Sequence, residues 1–200
     1  MKPTMIRLTP ADYVTTQWSG GTTTQLAIAP EGAVYAARDF LWRVSSAAVE
    51  LAESDFTALA DYYRYIAPLR GEMTLRHNGG AERRLVPYEV HGFDGGDDTR
   101  SRGRCTDFNL MLRKDRCDGA LRAIRCGDAP SRIAVRADWA VVYCAQGSCA
   151  LRCGTAEQAL AAGECALLCG EIVSLELTGA DDAVCMLATI RERREGGADV

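Results

Sequence analysis

The stretch 38-RDFLWRVSSAAV-49 has the pattern of a β-strand with one apolar and one mixed face. In a strand, successive side chains point to opposite sides, so residues two apart share a face. The apolar face consists of Phe40, Trp42 and Val44. The mixed face consists of Leu41, Arg43, Ser45 and Ala47. An arginine on such a mixed face is either half of a buried ion pair or a fork that binds a ligand carboxylate.

A second stretch, 105-CTDFNLML-112, repeats this arrangement of polar and apolar faces. Asp107 and Asn109 fall on one face, whereas Phe108 and Leu110 fall on the other. We therefore predict a β-barrel in which these two polar-faced strands line a pocket for a small molecule.

The composition is that of an ordinary globular protein. Apolar residues make up 48% of the 200 residues and charged residues 25%, which is enough apolar material for a sizeable core. The net charge of −4 argues against nucleic acid as a partner. No apolar run is long enough to cross a bilayer and no signal pattern is visible, so we expect a cytoplasmic protein without a membrane partner.

Short strand-like runs separated by turn signals continue along the chain, with almost no helical periodicity. Asn78-Gly79 between two alternating runs is typical of a hairpin. The segment 70-RGEMTLR-76 resembles 146-QGSCALR-152, which indicates two copies of one β unit. We predict an all-β protein with two barrels or sandwiches, a junction at residues 114–119 and a disordered tail at residues 191–200.

Four motifs stand in the order in which they occur in the HutD/Ves family: 18-WSGGTTTQ-25, 39-DFLWRVS-45, the Arg64 strand with Gly71, and 107-DFNLM-111. The chain resembles that family over most of residues 18–112. The resemblance implies a bicupin with cupin-like halves at residues 1–114 and 120–190. The chain departs from its relatives chiefly in the second half, which is rich in cysteine. It also implies a link to histidine-utilisation operons, where HutD is thought to temper the pathway by sensing formylglutamate or another intermediate.

Metal binding has little support in the sequence. Cupin barrels often hold a metal through several histidines, but this chain has only His77 and His91. Zinc held by thiols is the alternative, because two pairs of cysteines share strand faces: Cys149 with Cys153, and Cys165 with Cys169. These spacings lack a CxxC knuckle, and small thiols also pack well inside a tapered barrel. We therefore expect reduced cysteines, no metal and no cofactor.

The polar strands predict a set of ligand-binding side chains. In this hypothesis Arg43 binds a ligand carboxylate through two parallel hydrogen bonds, and Ser45 and Asn109 hydrogen-bond to the same ligand. Asp107 either holds Arg43 in place or receives a ligand amine. The alternative is a buried Arg43–Asp107 ion pair with a structural role only. Four further residues are candidates for the site. Arg64 is a second carboxylate anchor and Trp18 is a wall of the pocket. Gly21 lies in a turn whose amides approach the anion, and His91 is a candidate general base.

We predict a non-enzymatic, metal-free protein that binds a small carboxylate derived from an amino acid, such as formylglutamate, and modulates histidine utilisation. The rival hypothesis is a metal-independent cupin enzyme, an isomerase or hydrolase that uses His91 or Asp107. A third class, a regulator that binds only other proteins, is expected to show an exposed apolar patch and no pocket. The sequence leaves the oligomeric state open, with a homodimer among the alternatives.

Overall fold

Residues 3–193 form fifteen β-strands and one turn of 3-10 helix in the computed structural model, which describes these residues apart from the side chain of residue 181. The predicted all-β class is confirmed, but the sheets of the described residues do not close into the predicted barrel. The strands up to residue 113 are β1 (Thr4–Leu8), β2 (Val14–Trp18), β3 (Gly21–Ala29), β4 (Trp42–Val49), β5 (Glu53–Asp55), β6 (Tyr62–Gly71), β7 (Met73–His77), β8 (Glu82–Leu85), β9 (His91–Asp94), β10 (Thr99–Arg102) and β11 (Cys105–Arg113). The later strands are β12 (Cys117–Arg125), β13 (Ser131–Cys153), β14 (Ala156–Ala161) and β15 (Cys165–Glu192), and the helical turn is Tyr35–Ala37.

Two antiparallel sheets form the first half of the molecule. The larger sheet has the strand order β2-β3-β4-β11-β6-β9, and the smaller has the order β5-β10-β7-β8. A small apolar core joins them, in which Val49 and Ile66 of the larger sheet pack with Met73 and Leu75 of the smaller. Within the described residues, no helix is long and apolar enough to cross a bilayer.

The strands β4 and β11 lie side by side in the middle of the larger sheet and define its two faces. They pair antiparallel, so that Ser45 lies opposite Asn109 and Ala47 lies opposite Asp107. Because paired residues in a sheet point to the same side, the polar residues of both strands share the front face. The alternation predicted for these two strands is confirmed.

The back face of the larger sheet packs against the second half of the chain. Trp42 and Val44 are buried there together with Phe108 and Leu110. The second half contributes Val141, Met186, Ala188 and Ile190 to the same core. The larger sheet therefore lies in the middle of the molecule, with the front face left for a functional site.

Phe40 departs from the predicted pattern. The strand begins only at Trp42, so the alternation does not extend back to Phe40. Its ring stacks on Tyr62 with the ring centroids 4.3 Å apart, in a separate cluster that includes Met111 of the front face. The expected grouping of Phe40 with Trp42 was wrong for this reason, and so was that of Leu41 with Arg43, because Leu41 packs against the core on the back face.

The long, bent strands β13 and β15 build most of the second half. Val141 of β13 pairs with Leu167 and also with Ala188, because β13 lies between two segments of β15. Aliphatic and cysteine side chains fill the interior of this half, among them Cys144, Leu151, Leu168, Leu175 and Leu187.

Both ends of the chain depart from the predicted boundaries. β1 pairs along its length with β15, beginning with Thr4 opposite Cys169, so the first strand joins the sheet of the second half. β15 continues to Glu192, so the first residues of the predicted tail (191–200) belong to a strand. The remaining part of that tail, 194–200, lies outside the described residues.

Candidate functional site

A cavity of about 270 Å³ opens on the front face of the larger sheet. β4 contributes Arg43 and Ser45 to its lining, β11 contributes Asp107 and Asn109, and β6 contributes Arg64. We call it the arginine cavity. Its other walls include Thr16, Trp18, Tyr35, Phe56 and Met111.

Arg43 is held by neutral partners. Only 5% of the residue is exposed, and its Nε donates a hydrogen bond to Gln25 Oε1 at 2.8 Å. Nη1 donates to Ser45 Oγ at 3.0 Å, and the guanidinium carbon lies 4.6 Å from the centre of the Tyr35 ring. Burial lowers the pKa of this guanidinium.

Arg64 lies against two aromatic rings. Its guanidinium carbon is 4.8 Å from the ring centre of Phe56 and 5.2 Å from that of Phe93. The residue is 6% exposed, and burial lowers the pKa of its side chain. Nη2 donates a long hydrogen bond of 3.4 Å to Asn109 Oδ1, whereas the buried Nε has no hydrogen-bond partner among the described residues.

Neither arginine has a carboxylate partner. Among the side chains that the structure describes, no Asp or Glu oxygen lies within 4.0 Å of either guanidinium, since the ion pairs involve other residues. The buried Arg43–Asp107 ion pair that we considered as an alternative is therefore not formed. Aromatic ring faces stabilise a cation while leaving the N–H edges of its guanidinium free for a ligand.

Asp107 is the acidic group of the cavity floor. It is 2% exposed, and its Oδ1 accepts hydrogen bonds from Ala47 N at 3.2 Å and from Asn109 Nδ2 at 2.6 Å. Burial raises the pKa of Asp107 to about 7, against the opposing effects of these hydrogen bonds and of the Arg64 charge. The buried part of the cavity therefore holds two cations and one partly protonated carboxyl group, which favours an anion. The other acidic residue of the lining, Asp55, is exposed and lies 3.4 Å from Arg100.

A comparison with protein families identifies the family of this chain. The HutD family model matches residues 10–186. The chain belongs to the HutD family. No curated protein sequence matches it significantly.

Solved structures with the same fold include proteins from two Pseudomonas species. A conserved protein of unknown function from Pseudomonas aeruginosa PAO1 has a TM-score of 0.84 and 24% identity, covering 94% of this chain and 99% of that one. HutD from Pseudomonas fluorescens SBW25, in a formate condition, has a TM-score of 0.80 and 24% identity, covering 96% and 100%. A formate complex of Lactobacillus farciminis oxalate decarboxylase has a TM-score of 0.64 and 7% identity, covering 92% and 85%. At these identities the likeness shows the cupin-like fold of this HutD-family chain.

Six of the eight predicted site residues line the arginine cavity of this HutD-family chain: Trp18, Arg43, Ser45, Arg64, Asp107 and Asn109. Trp18 stands at the end of the exposed strand β2 and is itself 38% exposed. It is therefore a wall next to solvent, whereas the four polar residues of β4 and β11 form the floor.

Gly21 lies outside the cavity lining and has a structural reason to be glycine. Its φ of +143° is rarely adopted by other residues. A Cβ on Gly21 would lie 1.9 Å from the backbone oxygen of Ala48. Close packing of β3 on β4 explains this glycine, and the structure offers no approach of its amide to the cavity.

His91 also lies outside the cavity lining. Its Nε2 is 3.0 Å from Nε2 of His77, whose Nδ1 is 2.9 Å from Thr99 Oγ1. The His91 ring stacks near Phe93, with the ring centroids 5.9 Å apart. Phe93 also contacts Arg64, so the two histidines adjoin a supporting ring of the site without lining the cavity.

Among the site residues that were not predicted, Gln25, Tyr35 and Phe56 contact the two arginines directly. Gln25 closes the motif 18-WSGGTTTQ-25 and pairs with Ser45, so pairing of β3 with β4 would have revealed it. Tyr35 lies in the 3-10 turn and Phe56 lies just after β5. Irregular segments have no side-chain periodicity, so no sequence pattern marks these two.

Metal-ligating side chains cluster elsewhere. Within the described residues, the group that has at least three potential ligand atoms within 4.8 Å of one another consists of Cys144, Cys149 and Cys185. These cysteines lie in the second half of the chain, and none of them lines the arginine cavity.

Proposed function

We propose that this HutD-family chain binds a small carboxylate in the arginine cavity and thereby modulates histidine utilisation in the cytoplasm, without catalysing a reaction. The observation that carries this proposal is the pair of buried arginines, Arg43 and Arg64, that line one cavity without a carboxylate partner among the described side chains. Desolvation of an unpaired guanidinium is costly. A bound carboxylate offsets that cost by supplying the missing charge.

The open hydrogen-bonding groups indicate which carboxylates fit. A guanidinium has five N–H groups. The hydrogen bonds formed use Nε and one Nη1 N–H of Arg43 and one Nη2 N–H of Arg64, which leaves further Nη groups of both residues for a carboxylate. Both hydrogen bonds to the Asp107 carboxyl group reach Oδ1, which leaves Oδ2 for an N–H group of the ligand. A carboxylate with an amine or amide nitrogen a few atoms away satisfies both groups, and this is the chemistry of an amino-acid derivative. The volume of about 270 Å³ restricts the ligand to a small molecule.

We also propose that the two halves are two cupin-like units, as in a bicupin. The backbone supports the repeat seen in the sequence, because positive φ angles recur at corresponding positions about 75 residues apart. The pairs, with their φ angles, are Gly71 (73°) and Gly147 (69°), Gly79 (68°) and Gly154 (61°), and Tyr88 (69°) and Gly163 (91°).

The binding proposal is tested by isothermal titration calorimetry with formate, glutamate, formylglutamate and urocanate. Formate is included because the similar HutD structure was obtained in a formate condition and the similar oxalate decarboxylase structure is a formate complex. We expect at least one of these acids to bind the wild-type chain and Arg43→Gln to bind it at least about tenfold more weakly. Light scattering on the same samples distinguishes a monomer from a homodimer.

The matched control is Arg70→Gln, which removes an exposed arginine from β6. We expect its affinity to equal that of the wild type at the same ionic strength. Equal losses in Arg43→Gln and Arg70→Gln would mean that the acids respond to overall charge, and the proposal would then fail.

A second candidate function is an enzyme in which Asp107 transfers a proton. The raised pKa of Asp107, about 7 because of burial, matches the requirement for a general acid or base near neutral pH. Incubation of the same acids with the wild-type chain, followed by chromatography, tests this function. Turnover that Asp107→Asn abolishes supports an enzyme, whereas binding without turnover supports the binding protein.

A further inference from the structure

Four cysteine side chains converge inside the second half of the molecule. The sulfur of Cys185 lies 3.3 Å from that of Cys149 and 3.8 Å from that of Cys126. Cys144 completes the set, because its sulfur and those of Cys149 and Cys185 all lie within 4.8 Å of one another. All four residues are buried. We call this set the four-cysteine cluster.

The pairing of the strands explains how the cluster forms. Cys144 of β13 lies directly opposite Cys185 of β15, so these two side chains share a face. Cys149 is five residues beyond Cys144 and would face the other side of a regular strand. Irregularities between Cys144 and Ser148, together with a φ of +69° at Gly147, bring it back to the same face.

Cys126 reaches the cluster from the end of β12. It follows the last residue of that strand, and its amide donates a hydrogen bond to Ala183 O at 2.9 Å. This bond places Cys126 beside Cys185, two residues further along β15. Three separate segments of the fold thus supply the four sulfurs.

The sulfur separations match those of a metal site better than those of a disulfide. A disulfide requires a sulfur–sulfur distance of about 2.05 Å, and the sulfurs of Cys149 and Cys185 are 3.3 Å apart. In a tetrahedral Zn²⁺ site with Zn–S bonds of about 2.3 Å, neighbouring sulfurs are about 3.8 Å apart. The sulfur separations within the triad of Cys144, Cys149 and Cys185 run from 3.3 Å to at most 4.8 Å and bracket that value. Cys126 meets it towards Cys185, at 3.8 Å, but lies outside the mutual 4.8 Å spacing of the triad, so a bound ion would draw its sulfur inward.

The cluster also has a route from solvent. Cys149 lines an open groove on the surface together with Asp128, Ser148 and Gly179. Cys144 and Cys185 are fully buried, whereas Cys126, at 7% exposed, is about as accessible as Cys149, at 6%. An ion can therefore meet Cys149 or Cys126 first and then the two deeper thiols, which satisfies the requirement for an entry path.

We propose that the four-cysteine cluster is a structural Zn²⁺ site with Cys126, Cys144, Cys149 and Cys185 as ligands. Each thiol loses its proton to solvent on ligation, no electron is transferred, and the ion links β13, β15 and the end of β12. The site does not depend on the arginine cavity, because the two share no residue.

The test uses the full chain, reduced and stripped of metal with a chelator, to which Zn²⁺ is added in competition with a chromophoric chelator. We expect one Zn²⁺ per chain and a higher melting temperature in its presence. Cys185→Ala removes the central ligand, and we expect affinity to fall by more than about 100-fold, beyond the loss typical of an outer-shell change.

Two control variants identify the responsible thiols. Cys117→Ala removes a buried thiol outside the cluster and Cys169→Ala removes the exposed one, and both should bind Zn²⁺ as the wild type does. Absence of Zn²⁺ binding by the wild type, equal binding by Cys185→Ala, or loss of binding in Cys169→Ala would overturn the proposal.

A spectroscopic readout keeps the proposal testable if Cys185→Ala does not fold. Co²⁺ replaces Zn²⁺ in tetrahedral thiolate sites and gives intense visible bands together with thiolate-to-metal charge-transfer bands. We expect both in the wild type and weaker charge-transfer bands in Cys126→Ser, which keeps three thiolates. A wild-type spectrum without thiolate bands overturns the proposal independently of any variant.

Discussion

The two halves of the molecule use similar sheets to enclose different interiors. In the first half, the front face of the larger sheet buries Arg43, Arg64, Asp107 and Asn109 around a cavity. In the second half, the interior is filled by aliphatic side chains and thiols. The first interior resembles a binding site, and the second resembles an ordinary core with an embedded cluster of cysteines.

The difference shows where stability and function are located. A fully buried leucine contributes about 1.5–3 kcal/mol relative to an exposed one, and the second half buries Leu151, Leu168, Leu175 and Leu187 completely. Arg43 and Arg64 occupy comparable positions in the first half but are desolvated without a counter-ion. The second half and the back of the larger sheet therefore offset the cost of a charged cavity.

The largest effect is expected from removing a core side chain of the second half. Leu187→Ala should lower the free energy of unfolding by about 2–5 kcal/mol, because it leaves a cavity in a filled interior. Affinity for the carboxylate should not change in the folded fraction. Urea denaturation and calorimetry measure the two quantities.

Val173→Ala is the matched control for this variant, since Val173 lies on the same strand and is exposed. Its unfolding free energy should differ from that of the wild type by less than about 0.5 kcal/mol. If both substitutions destabilise the chain equally, the second half is not the stabilising core described above.

The reverse pattern is expected for Arg64→Met in the first half. Methionine keeps much of the volume between Phe56 and Phe93 but removes the charge, so affinity for the carboxylate should fall about 10- to 100-fold. The ligand-free chain should be as stable as the wild type or more stable, because an unpaired buried charge is gone. Thermal melting with and without ligand measures both effects. A large loss of stability without ligand would instead assign Arg64 a structural role.

The floor of the arginine cavity and one wall residue, Trp18, were predictable from the sequence, whereas the walls formed by Tyr35 and Phe56 were not. Arg43, Ser45, Asp107 and Asn109 lie on regular central strands, where the two-residue period holds and one face is fully buried. Tyr35 and Phe56 come from irregular segments, whose side-chain directions depend on contacts that are distant in sequence.

The same period holds for Cys149 and Cys153, which share the buried face of a regular part of β13 as predicted. It does not extend across the irregularities between Cys144 and Ser148, which bring Cys149 close to Cys144 and Cys185. Cys126 and Cys185 are far apart in sequence, and only the order of the strands brings them together. Sequence parity thus predicts faces within one regular strand, whereas it does not predict which strands become neighbours.

A more gradual effect, spread over several pH units, is expected from the titration of Asp107. Its pKa in the folded chain is raised by burial to about 7, above the ordinary value of 3.8, so between these values the folded chain holds more protons than the unfolded chain. Stability should therefore fall as the pH rises from about 4 to about 7, by at most about 1.4 kcal/mol per pH unit. Asp107→Asn should lack this slope in urea denaturation, whereas the exposed control Asp61→Asn should keep it.

The smallest effect is expected from the pair of histidines, and it has the opposite sign. Burial lowers the pKa of both His77 and His91, so at acidic pH the folded chain holds fewer protons than the unfolded chain. Stability from this source should fall as the pH falls through the ordinary histidine value of 6.5. The facing Nε2 atoms, 3.0 Å apart, need one donor and one acceptor, and protonation of both rings leaves two donors.

His91→Asn isolates this contribution, because Asp107 is present in both chains and its slope cancels in the difference. We expect the wild type to lose more stability than His91→Asn between about pH 7.5 and about pH 5.5. The difference should be smaller than the Asp107 effect, since both rings are only partly buried. Parallel urea midpoints for the two chains across this range would show that the histidine pair does not couple protonation to folding. The charged floor of the cavity would then be the main source of pH dependence in the first half.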